Sequence, residues 1–369
     1  MATNQGILKT LPIQESLLTG NRYRSEGRPS LFMEILKGCF MCCYLMCPPT
    51  PSSITRKIAF HPPQKGRTYT IYLENGACVT TASKLLGKRF YIKPERLTKC
   101  HQSDYDELMR RVECFTLRTL LGNDIIVIKC SPEHPDTEER LSRMVIIFAQ
   151  PNASDLGEYL QPFHLNIPLL AELFETDVYA FDYSGYGYSS GTVSERNIYA
   201  DIRAVFDFVR MRRPDKKVVL LGYSIGTAAV ADLAASKPDG LVGVVMVAPF
   251  TSGFRLFGAK PANAHTSKLD RFTTCDKMAS IDVPVLVCHG SGDEAIPMEH
   301  GLEIARRARR SVPPLIVHGA DHMSIFNGKY LQTFRRIRHF MEEETDYIVD
   351  TPASSNDHDT TTHTYSNQK

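Results

Sequence analysis

One pentapeptide constrains the fold more than any other feature of the chain. Gly222-Tyr223-Ser224-Ile225-Gly226 fits the pattern G-x-S-x-G, and its flanks fit with it. The apolar run Lys217-Val218-Val219-Leu220-Leu221 predicts a buried strand, and TAAVADLAAS over 227–236 predicts a helix. A strand that turns straight into a helix lifts the serine hydroxyl clear of the sheet, and so tight a turn needs glycine at 222 and 226. The serine then sits at a helix N-terminus, where free N–H groups can stabilise an oxyanion. The pattern occurs a second time, at Gly187-Tyr188-Ser189-Ser190-Gly191. There the preceding apolar run, 178–181, stops well before Ser189, and 192–195 reads as a loop entering an N-cap. Ser224 is therefore the candidate nucleophile and Ser189 a loop residue. The alternative for Ser224 is a tight strand–helix turn with an unreactive hydroxyl.

Around this turn the sequence alternates short apolar runs with amphipathic segments. Strands are expected at 69–73, 115–120, 125–129, 144–148, 178–181, 218–221, 242–247, 285–288 and 315–317. Helices are expected at 169–174, 195–211, 227–236, 299–310 and 330–343. Gly122-Asn123-Asp124 reads as the turn of an antiparallel hairpin. The later alternation of strand and helix predicts an α/β architecture, a mostly parallel sheet covered on both faces. Residues 83–112 form a charged insert without a motif. Residues 1–30 and 346–369 are polar and expected to be disordered. Between them lie a cysteine- and proline-rich segment, 31–63, and a domain over 64–345.

A nucleophilic serine needs a base, and the base an orienting acid. In the α/β-hydrolase arrangement these follow in the chain order Ser, Asp or Glu, His. The loop after the 285–288 strand, His289-Gly290-Ser291-Gly292-Asp293-Glu294, offers Asp293 as the acid, with Glu294 pointing elsewhere. Asp293 as a mere loop cap is the competing reading. The loop after the last strand, Gly319-Ala320-Asp321-His322, offers His322 as the base. His318 and His289 are expected to serve structure, and Asp321 cannot easily reach its neighbour's Nδ1. The two oxyanion donors are expected from the N–H of Ile225 and from the loop Ala149-Gln150-Pro151-Asn152-Ala153. Metal-ligand spacing is absent and no cofactor is implied.

The balance of 43 basic against 41 acidic residues leaves a net charge of +2, so no basic field argues for nucleic acid. No apolar run reaches the roughly 18 residues of a membrane span. The first thirty residues carry no apolar secretory core, and the Met-Ala start excludes N-myristoylation. The ten cysteines suggest no disulfide framework, so a reducing compartment is expected.

Seven pieces occur in order: CFMCCYLMCPP (39–49), KIAFHPP (57–63), FDYSGYGYSSG (181–191), SERNIYADI (194–202), GYSIGT (222–227), HGSGDEAI (289–296) and GADH (319–322). In these the chain resembles the α/β-hydrolase domain-containing protein 17 family of membrane-anchored protein depalmitoylases. The resemblance covers most of 38–345, apart from the insert. It implies a serine thioesterase that removes palmitate from cysteines of membrane-associated proteins, with Ser224, Asp293 and His322 as its triad and Asn152 as the second oxyanion donor. Two departures stand out. Where the family reads Ser-His-Gly-Asn-Ala, this chain has Gln150-Pro151 in place of His-Gly. Proline restricts its own φ and the residue before it, so the loop either forms as in the relatives or is shifted. A lost donor would cost roughly 100- to 1,000-fold in rate. The second elbow residue, commonly Gln in the family, is Tyr223, which is expected to reshape the pocket.

The segment LFMEILKGCFMCCYLMC over 31–47 places Cys39, Cys42, Cys43 and Cys47 among apolar neighbours. It is too short to span a bilayer but suited to its interface, with S-acylation of these four cysteines making binding stable. Lys37, Arg56 and Lys57 would favour an anionic leaflet. This predicts a lipid-anchored protein on the cytoplasmic face of membranes, with S-acylated membrane proteins as substrates. A zinc site is the weaker alternative, because no second ligand pair lies near. Two rival functions use the same features: a lipid esterase or monoacylglycerol lipase, and a weakly active tethered interaction protein. Phe250, Phe254, Leu256 and Phe257, in the long connection 249–281, are expected either to line an acyl channel or to pack on the sheet.

Overall fold

The computed structural model describes residues 59–346, apart from 98, 134–140, 163–164 and 259. Its frame is an eight-stranded sheet. In chain order the strands are β4 (Val112–Arg118), β5 (Asp124–Cys130), β6 (Met144–Ala149), β7 (Asp177–Phe181), β8 (Lys217–Tyr223), β9 (Leu241–Val247), β10 (Val285–Gly290) and β11 (Leu315–Val317). They lie in the order β11-β10-β9-β8-β6-β7-β5-β4. From β7 to β11 every pairing is parallel; β5 pairs antiparallel to both β7 and β4. The β4–β5 hairpin turns where glycine was expected, with Gly122 at φ +80° and its N–H donating to Thr119.

Strands buried on both faces need continuous apolar runs, and β6 and β9 are buried at every residue. Their alternation sorts two cores. Val219, Leu221 and Tyr223 of β8 face one side, with helices α2 (Ile167–Phe174) and α6 (Leu331–His339). Val218 and Leu220 face the other, with α3 (Glu195–Arg212), α4 (Gly226–Ala235) and α5 (Met298–Arg307). Local signals set the helix starts: Ser194 caps α3 by accepting from the Asn197 N–H, and Asn166 caps α2 through the Leu169 N–H. Among the described residues no helix is long and apolar enough to cross a membrane.

One expectation needs correction, and one open segment is resolved. The strand at 69–73 does not join the main sheet. As β1 (Tyr69–Leu73) it forms a separate antiparallel sheet with β2 (Cys78–Val79) and β3 (Phe90–Pro94). The charged insert is ordered into β3 and the helix α1 (Gln102–Met109). β3 alternates buried Phe90, Ile92 and Pro94 with exposed Tyr91 and Lys93, so one face of it covers the core.

Candidate active site

The turn between β8 and α4 is as tight as the glycine pattern requires. Ser224 sits at φ +53°, in the left-handed region a side chain rarely adopts. A Cβ on Gly226 would stand 2.0 Å from the Ala149 carbonyl oxygen, and one on Gly222 would meet Gly226 at 2.7 Å. The Ser224 N–H donates to Val247 O at 2.9 Å, which locks the turn to the next strand.

The ends of three strands bring the expected partners together. His322 Nε2 lies 3.1 Å from Ser224 Oγ, and His322 Nδ1 lies 2.8 Å from Asp293 Oδ2. Asp293 Oδ1 accepts from the N–H groups of Ala295 and Ile296 at 3.0 and 2.8 Å. Burial alone would raise the Asp293 pKa. Hydrogen bonds from His289, His322 and the Ile296 N–H overcome it and hold the carboxyl well below its ordinary range. Asp293 is therefore ionised at neutral pH and fixes which imidazole nitrogen carries the proton toward it. His322 is one-fifth exposed at its side chain and open to a reacting group.

The neighbours that were set aside occupy other roles. Ser189 Oγ accepts from the Ile126 N–H and donates to Asp182 O, stapling a loop to β5. Glu294 is exposed. Asp321 accepts from the N–H groups of Met323 and Ser324 and shapes the His322 loop. His318 is exposed, and His289 is buried with Nε2 on Ile296 O at 2.8 Å.

The loop 150–153 is held by both its ends. Gln150 is buried; its Nε2 donates to Asp182 Oδ1 at 3.1 Å and to Ser154 O at 3.2 Å, and its backbone carbonyl accepts from the Tyr183 hydroxyl. Gln150 thus braces the loop from within the protein. Asn152 points its side chain away from the loop, to Ala59, His61 and Tyr186. Among the described residues nothing accepts from the N–H of Asn152 or of Ile225. Both N–H groups are thus free of protein acceptors, as the expected oxyanion donors must be. Asp182, which anchors Gln150, is fully buried next to Asp155. Burial and then the Asp155 charge push its carboxyl up to about 7.

A mainly apolar cavity of about 340 Å³ opens beside the relay, its apolar wall made of Leu97, Tyr159, Leu165, Tyr223, Met323 and Phe326, with Glu158 and Gln161 among its polar lining. Tyr223 donates to His322 O at 2.5 Å and lays its ring against His322 and Phe326. The residue after the first elbow glycine is therefore one wall of the pocket. A wider groove of about 800 Å³ runs along β3 and α1, and Leu97 lines both it and the cavity. The phenylalanines proposed for an acyl channel lie elsewhere. Phe250 packs on Phe272 across the opposite face of the sheet, Leu256 packs on that same core, and Phe254 and Phe257 are exposed. Cys39, Cys42, Cys43 and Cys47, the cysteines expected to carry acyl chains, fall outside the described residues.

Sheet order, elbow and relay define an α/β hydrolase of the serine-hydrolase type. The family model for Serine aminopeptidase, S33 matches residues 169–274. The fold is shared with the esterase Pf2001 of Pyrococcus furiosus, at TM-score 0.51 and 15% identity over 68% of this chain and 96% of that one. Sequence likeness is closer to a narrower group. Alpha/beta hydrolase domain-containing protein 17B of Homo sapiens is 34% identical over 82% of this chain and 96% of its own length. Protein 17C of Xenopus laevis is 34% identical over 82% and 94%. Alpha/beta hydrolase domain-containing protein aho-3 of Caenorhabditis elegans is 35% identical over 89% of each. The chain belongs to the α/β-hydrolase domain-containing protein 17 family.

Proposed function

We propose that this protein is a serine thioesterase that removes long acyl chains, palmitate among them, from cysteines of membrane-associated proteins. The observation that carries the reading is the joining of a serine–histidine–aspartate relay to an apolar cavity through Tyr223, which touches both. His322 takes the Ser224 proton as Oγ attacks the thioester carbonyl. The N–H groups of Asn152 and Ile225 receive the negative oxygen that forms. His322 then returns its proton to the departing cysteine sulfur, leaving the acyl group on Ser224. Water, deprotonated by the same imidazole, releases the fatty acid. The apolar cavity takes the chain, and the groove reaching Leu97 has room for the polypeptide that carried it.

The anchor belongs to the same proposal. Cys39, Cys42, Cys43 and Cys47 are the acylation sites, and they hold the enzyme to the cytoplasmic face of a membrane. The described chain begins at Ala59, beside the oxyanion loop, a dozen residues after Cys47. That length reaches at most about 40 Å, so the anchor holds the active site close to the bilayer where acylated cysteines lie. The test is hydrolysis by the purified protein of an S-palmitoyl peptide against a monoacylglycerol. Ser224-dependent cleavage of the thioester supports the reading; preference for the glycerol ester replaces it with a lipid esterase.

A further inference from the structure

The side chain of Asn152 is held far more tightly than a backbone donor's side chain needs to be. Its Oδ1 accepts from the His61 N–H at 3.0 Å and from the Tyr186 hydroxyl at 2.7 Å. Its Nδ2 donates to Ala59 O at 2.9 Å and lies 3.1 Å from His61 Nδ1. An amide side chain has two donor hydrogens and two lone-pair directions, and all four are used. The fourth contact pairs Nδ2 with the His61 ring. None of the four partners belongs to the loop itself.

The loop needs such a hold. Pro151 contributes no N–H to pin it, and Ala153 sits at φ +60°, a conformation that a residue with a Cβ keeps only when its surroundings impose it. Gln150 fastens the loop from inside the protein, through Asp182. Asn152 fastens it from outside, to the entering chain. That chain is itself anchored: Phe60 is buried and meets Phe272 edge-on at 5.7 Å.

We propose that Ala59, His61 and Tyr186 form a clamp whose task is to position the oxyanion loop, so that the segment entering from the cysteine-rich region is part of the catalytic apparatus. The proposal rests on the reading of the Asn152 N–H as an oxyanion donor. His61 and Tyr186 act as positioning residues, since neither is placed to touch the reacting atoms. Any force or partner that lifts 59–61 off Asn152 would lower turnover with the relay of Ser224, His322 and Asp293 intact.

Asn152→Ala in the full-length protein tests this, because it deletes all four bonds and keeps the backbone N–H. On a soluble acyl thioester, kcat should fall about 10-fold or more, toward the 100- to 1,000-fold of a lost donor, with KM unchanged. A trifluoromethyl ketone, which forms a tetrahedral adduct with Ser224, should bind more weakly by the same factor. His61→Ala and Tyr186→Phe should show smaller, matched losses. A role confined to stability would lower the unfolding temperature and leave kcat and ketone affinity of the folded enzyme unchanged, which overturns the proposal. Should Asn152→Ala not fold, Tyr186→Phe, which removes one hydroxyl, carries the same matched comparison. Should the wild type cleave no thioester, the labelling rate of Ser224 by a fluorophosphonate replaces kcat. Slower labelling in the variants then supports the clamp while the thioesterase reading fails, and equal labelling refutes the clamp.

Discussion

Replacing Asp182 by Asn should reverse part of the protein's dependence on pH. Asp182 is fully buried, accepts from Tyr69, Gln150 and the Leu156 N–H, and stands near Asp155. Its pKa rises from 3.8 to about 7, first through burial and then through the Asp155 charge. The native state therefore favours the protonated form. Stability from this group is fully present below the unfolded pKa near 3.8 and is lost as pH rises through about 7. At about 1.36 kcal/mol for each tenfold change in proton affinity, a rise of that size is worth on the order of a few kcal/mol, shared with Asp155, whose carboxyl is pushed the same way. Asn does not titrate. Urea denaturation of wild type and Asp182→Asn at pH 4.5 and pH 8 measures the change. The variant should gain on the wild type by a few kcal/mol between the two pH values. Any fixed cost of the misplaced amide cancels in that difference. Parallel stability curves for the two proteins would refute the assignment of a raised pKa to Asp182.

Three further outcomes follow from the site. Asp293→Asn should cut kcat by about 10⁴-fold, because the amide presents the wrong partner to His322 Nδ1, while Glu294→Gln leaves it intact; steady-state kinetics of both decides the acid. Tyr223→Phe strands the His322 carbonyl and should lower stability by about 1–3 kcal/mol, read by denaturant midpoint, with a smaller loss of kcat than Asp293→Asn. Replacing Cys39, Cys42, Cys43 and Cys47 together by Ser should move the protein from membranes to the soluble fraction and abolish acyl-exchange labelling, while activity on a soluble thioester survives.

The relay was legible because its signals are local. Each partner follows an apolar run that forms a strand of the sheet, and the elbow carries glycine where a Cβ would collide with backbone. The main sheet was legible for the same reason. The insert was not. Its helix α1 buries only Tyr105 and Leu108, too few to show a period, and β3 hides its alternation among charged neighbours. The connection 249–281 left an acyl wall and packing on the sheet equally open; Phe250 packs on one face of the sheet, while the alternation of β8 places Tyr223 on the other. The brace at Gln150 and the clamp on Asn152 were out of reach for a different reason. Their partners lie 32 and 91 residues away, and no local pattern announces a pairing at that distance.

The central claim is that Ser224, served by His322, is the nucleophile that cleaves acyl thioesters. Its most direct measurement is the reaction of the purified full-length protein with an S-palmitoyl peptide, followed by mass spectrometry of the trapped acyl-enzyme. A palmitoyl group on the peptide containing Ser224, formed by the wild type and by Ser189→Ala but absent from Ser224→Ala, is the predicted result. Undiminished hydrolysis by Ser224→Ala, or an acyl group found on Ser189, would contradict it.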